Sequence, residues 1–132
     1  MHKKLIRKYK TNCPFELAKH LNIRVKYLDL PEQVRGFYFR TLRRRFVAIN
    51  SNLTEEWQRF VCAHELGHDR LHGGIGYYFI EQHTLFSPGK YERQANQFAI
   101  QLLLDGDTPC EGETIECLFQ RNGVPLDMIN FF

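Results

Sequence analysis

Two histidines four residues apart, the first followed directly by a glutamate, sit on the apolar stripe of a predicted helix: His64-Glu65-Leu66-Gly67-His68. Thr54 is a good N-cap, and Glu55 and Glu56 after it favour the positive end of a helix dipole. Trp57, Phe60, Val61, His64, His68 and Leu71 then recur at steps of three or four residues, and the helix stops near His72-Gly73-Gly74. Four residues is just over one turn, so both imidazoles project from the same side and can hold one metal ion, at about 2.0 to 2.1 Å for zinc. Glu65 lies about 100° round the helix and falls beside such an ion, placed to take a proton from a water whose pKa zinc lowers to roughly 7.

A hydrolytic zinc site needs three protein ligands and an open position. His72 repeats the four-residue step, but each step rotates by about 40°, and one straight helix wraps three imidazoles round an ion only with difficulty. The metzincin pattern asks for glycine at position 71 and histidine at 74, where this chain has Leu71 and Gly74. Glu92 is the better candidate. It stands near the start of a second helix, which Ser87-Pro88 opens and which runs to about Leu104 with Tyr91, Ala95, Phe98, Ala99, Leu102 and Leu103 as its apolar stripe. Asn96, four residues on and facing the same way, can hydrogen-bond a ligand histidine. His72 and His83 remain the alternatives for the third ligand.

The rest of the chain reads as α+β. Asn12 can cap a helix over Pro14 to His20, with Phe15, Leu17, Ala18 and Leu21 at helical spacing. Arg24 to Leu30 alternates as a strand, and Val34 to Phe39 and Phe46 to Ile49 form a hairpin with the basic tip Arg40-Thr41-Leu42-Arg43-Arg44-Arg45. A short helix near Thr114 to Gln120 and an apolar tail that docks, Val124 to Phe132, complete it. At 132 residues, 43% hydrophobic and 25% charged, the chain reads as one domain, 1–132, with no need of disulfides. Residues 1–45 hold 13 Lys and Arg against 3 Asp and Glu, and residues 46–132 hold 5 against 12. The two halves neutralise one another, or the basic one meets nucleic acid or an acidic protein surface. Four cysteines without a C-x-x-C pair are expected as reduced, inert and mostly buried thiols. With neither a secretory signal nor a membrane span, a cytoplasmic protein is expected.

The residues His64-Glu65-Leu66-Gly67-His68, Leu71-His72 and Glu92-Arg93-Gln94-Ala95-Asn96-Gln97-Phe98-Ala99, with Leu102-Leu103-Leu104, resemble the ImmA/IrrE metallopeptidases, a gluzincin-like group. Pro14-Phe15-Glu16-Leu17-Ala18, the hairpin and Ile49-Asn50-Ser51-Asn52-Leu53 resemble its N-terminal part, so the likeness spans most of the chain. The resemblance implies Zn2+ as cofactor, His64, His68 and Glu92 as its ligands, and Glu65 as catalytic base. It further implies a compact α+β fold, a zincin-like minimal domain in which a small twisted antiparallel-type sheet packs on the histidine-bearing helix and further helices carry the third ligand. Such a protein acts in bacteria, or as a phage protein in the host cytoplasm, by cleaving a helix-turn-helix repressor and so derepressing its genes. The chain departs from the family at Gln94, where an acidic residue is common, and ends without the extra C-terminal domain that some relatives carry.

His72, His83, Tyr77, Tyr78 and Tyr91 are candidate oxyanion or substrate donors. The substrate is expected to lie extended against a sheet edge offered by the Val34 to Phe39 hairpin. A non-catalytic anti-repressor that grips a repressor and displaces it is the alternative reading, and a protease with an unrelated target is another. Direct DNA binding is disfavoured: Glu16 to Ile23 looks like the first helix of a helix-turn-helix, but a strand follows where the recognition helix would stand. The sequence is silent on oligomeric state and on the scissile bond.

Overall fold

The computed structural model describes residues 2–41, 43–72, 79–80 and 89–132. Two short helices, α1 (His2–Tyr9) and α2 (Pro14–His20), precede β1 (Ile23–Leu28), β2 (Gly36–Arg40) and β3 (Arg45–Asn50). The long helix α3 (Glu55–His72) follows, then β4 (Phe79–Ile80), α4 (Lys90–Leu104), α5 (Ile115–Arg121) and a 3-10 helix, Leu126–Phe131. The α+β class read from the sequence is what the chain adopts.

The strands form one sheet in the order β1-β3-β2-β4. β2 and β3 make the expected hairpin, with Phe37 opposite Ala48 and Phe39 opposite Phe46. β1, however, runs parallel to β3, with Val25 opposite Val47, so the sheet is mixed where an antiparallel-type sheet is expected. The cause is topological. Residues 29–35 carry the chain past the place of β3, and β3 then returns between β1 and β2, a placement that no local turn signal encodes. The hairpin does not offer the free edge expected of it either: β4 pairs with β2, Phe37 opposite Ile80 and Tyr38 opposite Phe79. Among the described strands the edges are β1 and β4.

One face of the sheet supplies the core, through Ile23, Tyr38, Val47 and Ile49. α3 lies on that face and α4 lies against α3. The approach of α3 depends on Gly36, where a Cβ would stand 2.4 Å from the Ala48 carbonyl oxygen and 2.7 Å from Val61 Cγ1. α3 is buried on every side from Phe60 to Asp69, as a helix sandwiched between a sheet and another helix must be. Leu71, expected on its inner face, is 40% exposed.

Thr54 caps α3 as read, its hydroxyl accepting from the Trp57 N–H at 3.3 Å. Asn12 does not cap α2. Cys13 holds that position without a side-chain bond, while the Asn12 amide donates to the Leu102 and Leu103 carbonyls at the end of α4, each at 3.3 Å. α1, which no expected element of the sequence covers, buries Leu5 and packs Ile6 and Tyr9 on the core. The C-terminal tail docks as expected, burying Leu118, Phe119, Val124 and Met128.

All four cysteines are free, but only Cys62 is buried, Cys110 and Cys117 being exposed. Burial pushes the Cys62 thiol well above its ordinary pKa. No described helix is long and apolar enough to cross a membrane.

Candidate metal centre

The two helices that carry the polar motifs meet at Gly67. A Cβ there would stand 3.1 Å from Phe98 Cδ1, 3.2 Å from Ala95 Cα and 3.3 Å from the Ala95 carbonyl oxygen, so glycine against alanine sets how close α4 comes to α3. Ala95 sits between Glu92 and Asn96 in the sequence, and the close approach delivers both side chains to the histidines.

Glu92 lies at the focus. One of its carboxylate oxygens is 3.1 Å from His64 Nε2 and 3.1 Å from His68 Nε2, and the other is 3.0 Å from His68 Nε2. His64 Nδ1 meets Asn96 Oδ1 at 2.6 Å. Glu65 stands beside the group, its Oε1 3.8 Å from His64 Nε2. One ligand atom each from His64, Glu65 and His68 lies within 4.8 Å of the others. Glu92 is in reach of both imidazoles, and Glu65 stands further from His64 Nε2 than Glu92 does, at 3.8 Å against 3.1 Å. His64, Glu65, His68, Glu92 and Asn96 are all buried.

This donor set suits a cation. An amide oxygen only accepts, so Asn96 Oδ1 requires a proton on His64 Nδ1 and leaves Nε2 with its lone pair toward a carboxylate. Two carboxylates and two such imidazoles, all buried, repel one another unless positive charge lies among them, as protons or as a metal ion. The ligand atoms of a tetrahedral zinc stand roughly 3.3 Å apart, close to the 3.0 to 3.1 Å between Glu92 and the two histidines. Burial by itself would raise the Glu92 pKa; when the positive charge is supplied by protons rather than by a metal ion, N–H bonds from His64 and His68 outweigh the burial and hold the carboxyl at about 2.

His72 does not join this group. Its Nδ1 is 3.1 Å from His68 Nδ1, on the side of that ring turned away from Glu92, and its Nε2 is 2.8 Å from Gln94 Oε1. Both of its ring nitrogens are therefore engaged within the protein. Tyr91 is 46% exposed and lies against the His72 ring in a tilted contact, centroids 4.4 Å apart and planes 40° apart. Tyr77, Tyr78 and His83 lie outside the described residues.

Sequence reasoning passed over Asp69, next to the second histidine and 4% exposed. Its carboxylate accepts from the Tyr38 hydroxyl at 2.7 Å, from Arg45 Nη1 at 2.9 Å and from Arg70 Nη2 at 2.8 Å, tying the active-helix backbone to β2 and β3. Burial and the Asp69 bond raise the Tyr38 pKa. The available signal was an acid one residue past a buried histidine, a position that needs a cation from elsewhere. Arg45, read as part of an exposed basic tip, is one of those cations.

Four other cations, Lys19, Arg24, Arg43 and Arg44, line an open cleft of about 430 Å³ beside the β2–β3 turn. None of the four makes an ion pair among the described residues.

The comparisons with known proteins agree with this geometry. The Peptidase_M78 family model, described as the IrrE N-terminal-like domain, matches residues 18–111. An uncharacterized immunity region protein 2 of Bacillus phage phi105 is 41% identical over 129 residues, which cover 95% of this chain and 82% of that relative. No solved structure matches the chain.

Proposed function

The chain belongs to the Peptidase_M78 family, and from that premise we propose that it is a zinc-dependent endopeptidase that cleaves a helix-turn-helix repressor in the bacterial cytoplasm. In this reading His64, His68 and Glu92 hold the ion, Glu65 is the general base, and Asn96 orients His64. The observation that carries it is the convergence of two imidazole Nε2 atoms on one buried carboxylate at 3.0 to 3.1 Å, with a second carboxylate beside them. The name of the phage relative places that protein in an immunity region, where a lysogen's repressor functions are expected, and this supports a repressor as the target.

Zinc held by this set supplies Lewis acidity, acidifying a water and polarising a peptide carbonyl. Glu65 takes the proton of the attacking water and returns it to the leaving amine, which requires it to stand near the ligands without being one of them. Its greater distance from His64 Nε2, 3.8 Å against 3.1 Å for Glu92, supports that assignment. Asn96 keeps the proton of His64 on Nδ1, so that Nε2 stays a donor of electrons.

Glu65→Gln separates hydrolysis from simple capture of a repressor. It is expected to keep fold and metal and to lose about 10² to 10⁴ in cleavage rate, the usual contribution of a general base. A Glu65→Gln variant that derepressed target genes as fully as wild type would make cleavage irrelevant and leave the protein a displacing partner.

A further inference from the structure

We propose that His72 and Gln94 are positioning residues, a two-step hydrogen-bond relay that fixes the tautomer of His68 and thereby makes it a metal ligand. The inference rests on the metal-site reading above, but not on peptide hydrolysis.

The two candidate ligand histidines are served differently on their outer nitrogens. His64 Nδ1 meets an amide oxygen directly, Asn96 Oδ1 at 2.6 Å. His68 Nδ1 instead faces another imidazole nitrogen, His72 Nδ1 at 3.1 Å, and two such nitrogens bond only if one is protonated and the other is not. The far side of the His72 ring decides which. His72 Nε2 is 2.8 Å from Gln94 Oε1, an acceptor, so Nε2 carries the His72 proton and Nδ1 of the neutral ring carries a lone pair. His68 Nδ1 must then donate, and its Nε2 is left bare toward Glu92, 3.0 to 3.1 Å away.

Reversal of the relay inverts this result. Were Gln94 to donate to His72 Nε2, His72 Nδ1–H would point at His68 Nδ1 and drive the His68 proton onto Nε2, where it blocks coordination. Gln94 therefore acts two bonds away from the ion. α4 supplies the acceptor at the end of each chain, Asn96 for His64 and Gln94 for His68, besides the carboxylate itself. The inner step of the relay is sheltered from water, since His68 is 2% and His72 8% exposed and the Tyr91 ring lies tilted against His72, while Gln94 is half-buried at its outer end.

The test is metal affinity, read on the full chain by competition of Co2+ or Zn2+ between protein and a chelator, with the Co2+ visible spectrum as a second readout. His72→Phe leaves the His68 N–H without an acceptor and is expected to weaken binding by about 10- to 100-fold, as loss of a partner behind a ligand histidine does. His72→Asn, whose Oδ1 falls near the place of Nδ1, should restore most of that affinity together with the wild-type Co2+ spectrum. Gln94→Leu should weaken binding without touching His72. Long-range proton–nitrogen NMR of the wild type should show His72 protonated on Nε2 and bare on Nδ1, a measurement that stands even if His72→Phe fails to fold. His72 protonated on Nδ1, or wild-type affinity in both His72→Phe and Gln94→Leu, would overturn the relay while leaving the metal site intact. A wild-type protein that takes up no divalent ion would overturn the site itself and the relay with it.

Discussion

Glu92 concentrates the chemistry of single residues in this protein. Its carboxyl is held at about 2 against an ordinary 4.5, because two imidazoles outweigh the cost of its burial. A depressed carboxylate contributes stability that is present above 4.5 and is lost as pH falls toward 2. Urea unfolding of the metal-free chain should show its midpoint dropping across that window, and Glu92→Gln should flatten the drop; parallel pH profiles would remove Glu92 from the electrostatics of the site. Which residues meet here was largely legible in the sequence, since i,i+4 spacing fixes the face of His64 and His68 and the step from Glu92 to Asn96 fixes another. The roles of His72 and Asp69 were not. Each depends on a partner from a different element, Gln94 on α4 for one, Tyr38 and Arg45 on the sheet for the other, and no spacing within a helix reveals such a partner.

Elements meet through two glycines whose missing side chains leave different amounts of room. At Gly36 a Cβ would lie 2.4 Å from a backbone oxygen, which cannot move without shifting β3. Gly36→Ala is therefore expected to destabilise by about 1 to 3 kcal/mol, the range for overpacking, read as the shift in thermal or urea unfolding. At Gly67 the contacts are 3.1 to 3.3 Å, so α4 has only to give by a few tenths of an ångström. The gain of about 1 kcal/mol in helix propensity for alanine over glycine opposes that cost. Gly67→Ala should thus change stability little while displacing Glu92, and metal affinity should fall at least tenfold, by the same argument that applies to any misplaced ligand shell. Unchanged affinity would show that α4 tolerates the displacement. The helices α2, α3 and α5 were readable from caps and periodicity. The parallel β1–β3 pair and α1 were not, the first because strand order is a non-local choice, the second because one buried leucine in eight residues leaves too faint a stripe.

Over the whole molecule, charge is divided: 13 of the 18 Lys and Arg stand in residues 1–45. Folding uses part of that excess internally, Arg45 on Asp69, but leaves Lys19, Arg24, Arg43 and Arg44 around one cleft. Such a patch attracts an acidic surface and acts on association more than on chemistry. Reversing Arg43 and Arg44 to glutamate should slow capture of an acidic repressor segment and weaken its salt dependence, with zinc content unchanged; cleavage and salt dependence identical to wild type would reduce the patch to a solvated turn. The central claim, that α3 and α4 converge to enclose one cation, is tested most directly by elemental analysis of the purified wild type beside Glu92→Ala. One equivalent of zinc in the wild type and little in the variant is the predicted result. Undiminished metal in Glu92→Ala would contradict it, and so would a wild-type protein that carries none.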